Sequence, residues 1–200
     1  LRMPHASHFN QSFALRCRER VDRGALEKVL GTLTTHHDML RAVLKNGQLC
    51  VKAVGSGENH YTLEECSVSD HKELTCYADR LQRSIDLEEG PILKAGIFHL
   101  PGEDILVLIC HHIAVDGISW RILLEDLEKA YAQAATGGEI RLPRKTHSFG
   151  HYTEALFRYR DSYLLLREKS YWKSVQSQLE KLPQGGKIVK GRRAYTEKIL

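Results

Sequence analysis

The chain predicts an α/β sandwich with a mixed, largely antiparallel sheet. Three observations carry this. Strand-like and helix-like stretches mix in the order βαββ and then αββα, with no internal repeat and no low-complexity tract. The densest apolar run, Ile105 to Cys110, is bounded by turn residues and reads as a central strand covered on both faces. Asn46-Gly47 separates two short apolar runs, and that pair marks a tight hairpin because both central residues of a type I′ turn need positive φ.

The elements follow in order. His8 to Arg18 reads as a strand with Phe9, Gln11, Phe13 and Leu15 on one side. Asp22 caps a helix whose inner face carries Leu26, Val29, Leu30 and Leu33. Leu40 to Leu44 and Leu49 to Val54 form the hairpin, and Tyr61 to Cys66 forms a further strand. Asp70 caps a second helix with Leu74, Tyr77, Ala78 and Leu81 inside. Gly90-Pro91 breaks the chain. Ile92 to Leu100 and Ile105 to Cys110 then pair around Pro101-Gly102-Glu103-Asp104. Ile118 to Ala135 is a helix with Ile122, Leu123, Leu127 and Tyr131 inward, and Gly137-Gly138 ends it. Leu142 to Ser148 is a loop, and Phe149 to Leu179 holds one or two helices. Gly185-Gly186 reads as a joint, and Ala194 to Leu200 as the start of a strand, which points to a piece of a longer protein.

Composition narrows the function. With 42% hydrophobic and 27% charged residues among 200, the chain is an ordinary globular one. No apolar run approaches the roughly 20 residues of a membrane span, and no signal peptide is visible, so membrane association is not expected and a cytoplasmic location is. The net charge of +4 is modest and spread out, apart from Lys187, Lys190, Arg192 and Arg193. That argues against nucleic acid as the partner. Arg158, Arg160, Arg167, Lys169 and Lys173 read as a solvated helix face, with carrier docking as the functional alternative. The five cysteines form no CxxC pair and sit mostly in apolar contexts. Buried reduced thiols are therefore expected, and no metal site.

The chemistry concentrates in His111-His112-Ile-Ala-Val-Asp116-Gly117-Ile-Ser119-Trp120. Adjacent histidines on a strand point to opposite faces, so only one can enter a given cavity. A positioned imidazole exchanges protons near neutral pH. Asp116 needs a partner if buried, and holds the turn. Gly117 permits a positive φ or a close approach by ligand.

His111-His112-xxx-Asp116-Gly117 resembles the HHxxxDG motif of nonribosomal peptide synthetase condensation-type domains. His36-His37-Asp38-Met39-Leu40-Arg41, Leu142-Pro143 with Ser148-Phe149, and Tyr171-Trp172 resemble further landmarks of that superfamily. His8-Phe9-Asn10-Gln11-Ser12, His37 to Arg41 and the run Asp116 to Leu127 look most like an epimerization domain. The resemblance implies a chloramphenicol-acetyltransferase-like two-layer sandwich lobe, with residues 1–183 as the N-terminal lobe. Residues 184–200 would be a linker and the start of the crossover to a C-terminal lobe.

What that implies for function is specific. His112 would exchange the α-proton of an aminoacyl or peptidyl thioester. The substrate would be presented on the 4′-phosphopantetheine of a peptidyl carrier protein, with no cofactor bound directly. The second acid–base group, a glutamate, would come from the C-terminal lobe, so this chain alone is expected to be inactive. His111 would be structural, Asp116 structural support, and Gly117 a tunnel residue. Ser119, Trp120 and Asn10 are candidates for contact with substrate or pantetheine, beside ordinary capping, packing and strand roles. His36 and His37 at a helix end suit a structural role, since a cation there interacts well with the dipole. The lobe face is expected to be apolar enough for self-association. Competing readings are a condensation domain, a coenzyme A-dependent acyltransferase and a degenerate carrier-recruiting domain.

Overall fold

The computed structural model describes residues 8–55, 57 and 59–178. Residues through Gly150 form one compact unit and those from His151 a second. The expected joint at Gly185-Gly186 and the stretch 184–200 lie outside the described residues, as does the basic cluster at Lys187 to Arg193.

The first unit holds a four-stranded sheet of β1 (Asn10–Cys17), β4 (Tyr61–Ser67), β5 (Leu93–Leu100) and β6 (Glu103–His111), in the order β1-β6-β5-β4. Only the β4–β5 pair is parallel. β6 is central, as its apolar density predicts, and eight of its nine residues are buried. The hairpin of β2 (Ala42–Lys45) and β3 (Gln48–Val51) forms a separate two-stranded sheet. Its turn has φ of 51° at Asn46 and 75° at Gly47, as the sequence requires.

Helices α1 (Arg23–His36) and α2 (His71–Arg83) start where expected. The Asp22 carboxylate accepts the Ala25 N–H, and the Asp70 carboxylate accepts the Glu73 N–H. Register decides which sheet face each helix covers. Gly96 pairs with Val107, and a Cβ at Gly96 would come within 2.6 Å of the Phe98 ring and 3.0 Å of Leu81 on α2. Only glycine lets α2 approach that closely. On the opposite face, Tyr61 donates its hydroxyl to the Glu27 carbonyl of α1, and Phe13 meets Trp120 of α3 (Gly117–Ala135) at 5.0 Å. Helices α1 and α3 also pack on each other. The core is a single cluster running from Leu26 and Val29 through Ile97 and Ile109 to Leu123 and Leu127.

Two expectations about side chains are corrected here. Ile122 does not face inward. It is 48% exposed, because the buried stripe of α3 is Trp120, Leu123, Leu127, Ala130 and Ala134, and Ile122 lies beside it. The cysteines are free but not mostly buried. Cys110 is buried, and desolvation pushes its thiol up to about 12. Cys50 and Cys76 are exposed, on the hairpin and on the outer side of α2.

Two polar networks hold the ends of the elements. Arg41 is buried, and its guanidinium donates to the carbonyls of Thr34, Thr35 and Lys52, which closes the C-terminal end of α1. His37 caps the same helix, and its Nε2 lies 2.9 Å from the Asp126 carboxylate of α3. Burial lowers the His37 pKa despite that carboxylate. A charged His37 at the helix end is therefore disfavoured, contrary to the dipole expectation.

From Phe149 onward, α4 (Phe149–Arg160), α5 (Tyr163–Leu166) and α6 (Lys169–Gln178) replace the one or two helices expected. Ser162 breaks the run by capping α5 through the Leu165 N–H. Arg158, Arg160, Arg167, Lys169 and Lys173 are all exposed.

His99 gives a pH signature. Its ring is bonded to Asp104 through Nδ1 and to Glu65 through Nε2, both at 2.8 Å. The Asp104 bond, and after it the Glu65 bond, raise the His99 pKa. The folded chain therefore binds this proton more tightly than the unfolded chain does. The stabilisation is fully present below the unfolded value of about 6.5 and is lost as pH rises through the raised folded value. Thermal unfolding of Ala or Gln variants at His99 is expected to lack this loss as pH rises above about 6.5. Equal pH slopes for variant and parent would contradict it.

Candidate active site

β6 ends at His111, and the next residue enters a turn that leads into α3. The His112 N–H donates to the Phe9 carbonyl at 2.9 Å, which extends the β1–β6 ladder by one rung. That rung sets the faces. His111 pairs with Asn10, and both lie on the face covered by α2. His112 takes the other face with Phe9 and Gln11.

His112 is held on three sides. Its Nδ1 lies 2.6 Å from the Val115 carbonyl oxygen. A carbonyl only accepts, so Nδ1 carries the proton, and in the neutral ring Nε2 is the acceptor. Gln11 approaches that Nε2 at 3.1 Å through its amide nitrogen. Phe9 stacks on the ring, with centroids 4.9 Å apart and planes 19° apart. The result is an imidazole of fixed tautomer with its basic nitrogen on the side away from the backbone turn. Such a group can take a proton and return it.

The remaining expected residues separate into groups. His111 is buried, and its Nδ1 accepts the Ile113 N–H at 3.0 Å, consistent with turn support. Asp116 is exposed and finds a local partner. As N-cap of α3 it accepts the N–H groups of Ile118 and Ser119 and the Ser119 hydroxyl, at 2.7 to 3.0 Å. The Ser119 N–H and then the Ser119 hydroxyl hold its carboxyl below the usual range, against the opposing effect of burial. Gly117 is the first residue of α3. It does not need a positive φ, and a Cβ there would touch nothing within 4 Å, so its role is not conformational.

The three candidate contact residues take the capping, packing and strand roles that stood beside the contact reading. Trp120 is 2% exposed and packs on Phe13, so it is core. Ser119 spends its hydroxyl on Asp116. Asn10 donates to the Gln82 carbonyl of α2 at 3.1 Å, on the sheet face opposite His112, so it does not share the site. The sequence reading passed over Gln11 and Phe9 as site residues. Their shared alternation on β1 was the available signal. His36, His37 and Asp126 present ligand atoms within 4.8 Å of one another, but the His37–Asp126 bond already ties α1 to α3. Phe9, which stacks on the His112 ring, and Phe13 of β1 and Ile118 and Ile122 of α3 are exposed apolar side chains.

The fold and this strand-end histidine, followed by Asp116-Gly117 at the start of α3, define a condensation-type domain. The condensation domain model matches residues 1–198, and the chain belongs to that family, within the condensation-type superfamily of nonribosomal peptide synthetases. It is 40% identical to Surfactin synthase subunit 1 of Bacillus subtilis (strain 168), over 96% of this chain and 6% of that protein. Gramicidin S synthase 1 of Brevibacillus brevis is 38% identical, over 82% of this chain and 16% of that protein. Among solved structures, the epimerization domain from the third module of tyrocidine synthetase B aligns with a TM-score of 0.82 and 33% identity. That alignment covers 88% of this chain and 42% of that domain. The starter condensation domain of rhizomide synthetase shares the fold, with a TM-score of 0.69 and 15% identity over 88% of this chain and 45% of that one. The chain thus spans a small part of its curated relatives and under half of these solved domains.

The Asp116 cap is testable on the chain itself. Asp116→Ala is expected to lower the chemical denaturation midpoint, and Asp116→Asn or Asp116→Ser to recover most of it. An Ala variant as stable as the parent would show that the cap does not hold the turn.

Proposed function

We propose that this chain is the N-terminal lobe of an epimerization domain, and that His112 moves the α-proton of a carrier-bound aminoacyl or peptidyl thioester. The observation that carries the reading is the fixed His112 ring, with Nδ1–H on the Val115 carbonyl and Nε2 as the acceptor. The 33% identity and TM-score of 0.82 to a solved epimerization domain support the choice within the family.

The chemistry is proton transfer. The Cα–H bond breaks, the proton goes to His112 Nε2, and the electron pair delocalises into the thioester carbonyl as an enolate. Inversion needs a second group that protonates the opposite face. In this reading that group is a glutamate of the C-terminal lobe, which would also cover the exposed Phe9, Phe13, Ile118 and Ile122. His111 and Asp116 hold the turn, and Gly117 leaves room for the approaching substrate. The substrate arrives on the phosphopantetheine arm of a peptidyl carrier protein, with no other cofactor. This chain by itself would not epimerize, and without the second lobe its apolar face would favour self-association.

The test uses the full-length protein that carries this chain, with its carrier loaded, in deuterated water. Wild type is expected to wash deuterium into the α-position, and His112→Ala to slow that exchange by about 10²- to 10⁴-fold. Amide formation without α-exchange would replace epimerization by condensation. Undiminished exchange in His112→Ala would remove His112 from the chemistry.

A further inference from the structure

The contacts of Gln11 go beyond alignment of a strand residue. Its amide nitrogen lies 3.1 Å from His112 Nε2, the one acceptor site of a ring whose Nδ1 proton is committed to Val115. The amide must present its NH2 side, because a carbonyl oxygen facing that lone pair would be repelled. Its own Oε1 is then left buried, and among the described residues it has no hydrogen-bond partner. A buried carbonyl without a donor is costly, so this orientation leaves an acceptor in reserve beside a group that changes its proton count.

We propose that Gln11 is a positioning residue that partners both protonation states of His112. Its NH2 donates to Nε2 when the ring is neutral, and its amide turns over to accept from Nε2–H once the ring has taken a proton. With Phe9 on the ring face and Val115 on Nδ1, the carboxamide completes a clamp that fixes the ring in plane. The clamp also has a consequence for turnover. Gln11 fills the lone pair that must receive the α-proton, so substrate entry displaces the NH2. Afterwards Oε1 holds the new N–H, which disfavours its return to the face it left. This rests on the reading of His112 as the proton carrier.

Phe9 and Gln11, which contact the ring from β1 and the residue before it, are uncharged. The turn and the start of α3 contribute Asp116, whose carboxylate senses the His112 charge, and His111 is the chain neighbour on the other sheet face.

The test reads His112 directly and then through activity. In the full-length protein, diethylpyrocarbonate carbethoxylates an uncharged, uncapped imidazole nitrogen, and fragment masses separate His112 from His111. Gln11→Leu is expected to make His112 react severalfold faster at a given pH, because the lone pair is uncovered. Gln11→Glu, nearly isosteric, pairs its carboxylate with Nε2–H and is expected to move the midpoint of the reaction's pH profile upward by about one unit or more. The α-exchange profile should move in the same direction, and Gln11→Leu should lower kcat for exchange by about tenfold while KM stays within about twofold. If Gln11→Leu does not fold, Gln11→Met supplies the same uncapped ring. Wild-type carbethoxylation rates and midpoints in Gln11→Leu, Gln11→Met and Gln11→Glu would overturn the assignment. The carbethoxylation arm needs no turnover, so a parent protein that shows no α-exchange would sink the epimerization reading and leave this one standing or falling separately.

Discussion

The register of β1 on β6 is the constraint on which the site depends. The two strands pair from Asn10 with His111 to Cys17 with Asp104, and the His112 N–H extends the ladder to Phe9. Side chains alternate with a period of two, so a slip of one residue would replace Gln11 by Asn10 or Ser12 beside His112 and would send Phe13 away from Trp120. The register is held firmly at its far end. There Asp104, 2% exposed, accepts from the Val21 backbone and from Arg20 and bonds His99. The polar cluster at one end of the sheet thus fixes the alignment of the imidazole at the other.

The second requirement is a rigid start to α3. The turn from His112 to Asp116 returns the Val115 carbonyl to the ring that opened it, and the Asp116 cap satisfies the first free N–H groups of the helix. Trp120 anchors that helix on the same sheet face, against Phe13. The geometry around His112 is therefore a consequence of ordinary folding forces: one ladder, one capped helix and one buried aromatic contact.

Much of this was legible in the sequence because the local signals were steric or stoichiometric. Asp22 and Asp70 had free helix N–H groups to satisfy, Asn46-Gly47 had the only backbone freedom that suits the hairpin, and the apolar run into His111 had to be central. What sequence could not resolve was the choice between faces. Ile118 and Ile122 form one apolar stripe on α3, and Trp120, Leu123 and Leu127 form another. Both have helical spacing, and only tertiary packing selects the second. Asn10 and Gln11 are both polar on one strand, and alternation says that they differ without saying which one faces His112. Cys50 and Cys76 have apolar neighbours along the chain yet lie outside, because a hydrophobic context does not report the orientation of a single residue. The condensation family was readable from the doubled histidine with Asp116-Gly117, whereas the role of Gln11 emerged only from a tertiary contact.

The claim at the centre is the tautomer of His112, since base, clamp and face all follow from it. Nitrogen-15 chemical shifts of the His112 ring, measured at a pH where the ring is uncharged, report it directly. The expected result is a protonated Nδ1 and a pyridine-type Nε2. A protonated Nε2 with a bare Nδ1 would contradict the Val115 bond, the orientation of Gln11 and the assignment of Nε2 as the proton acceptor.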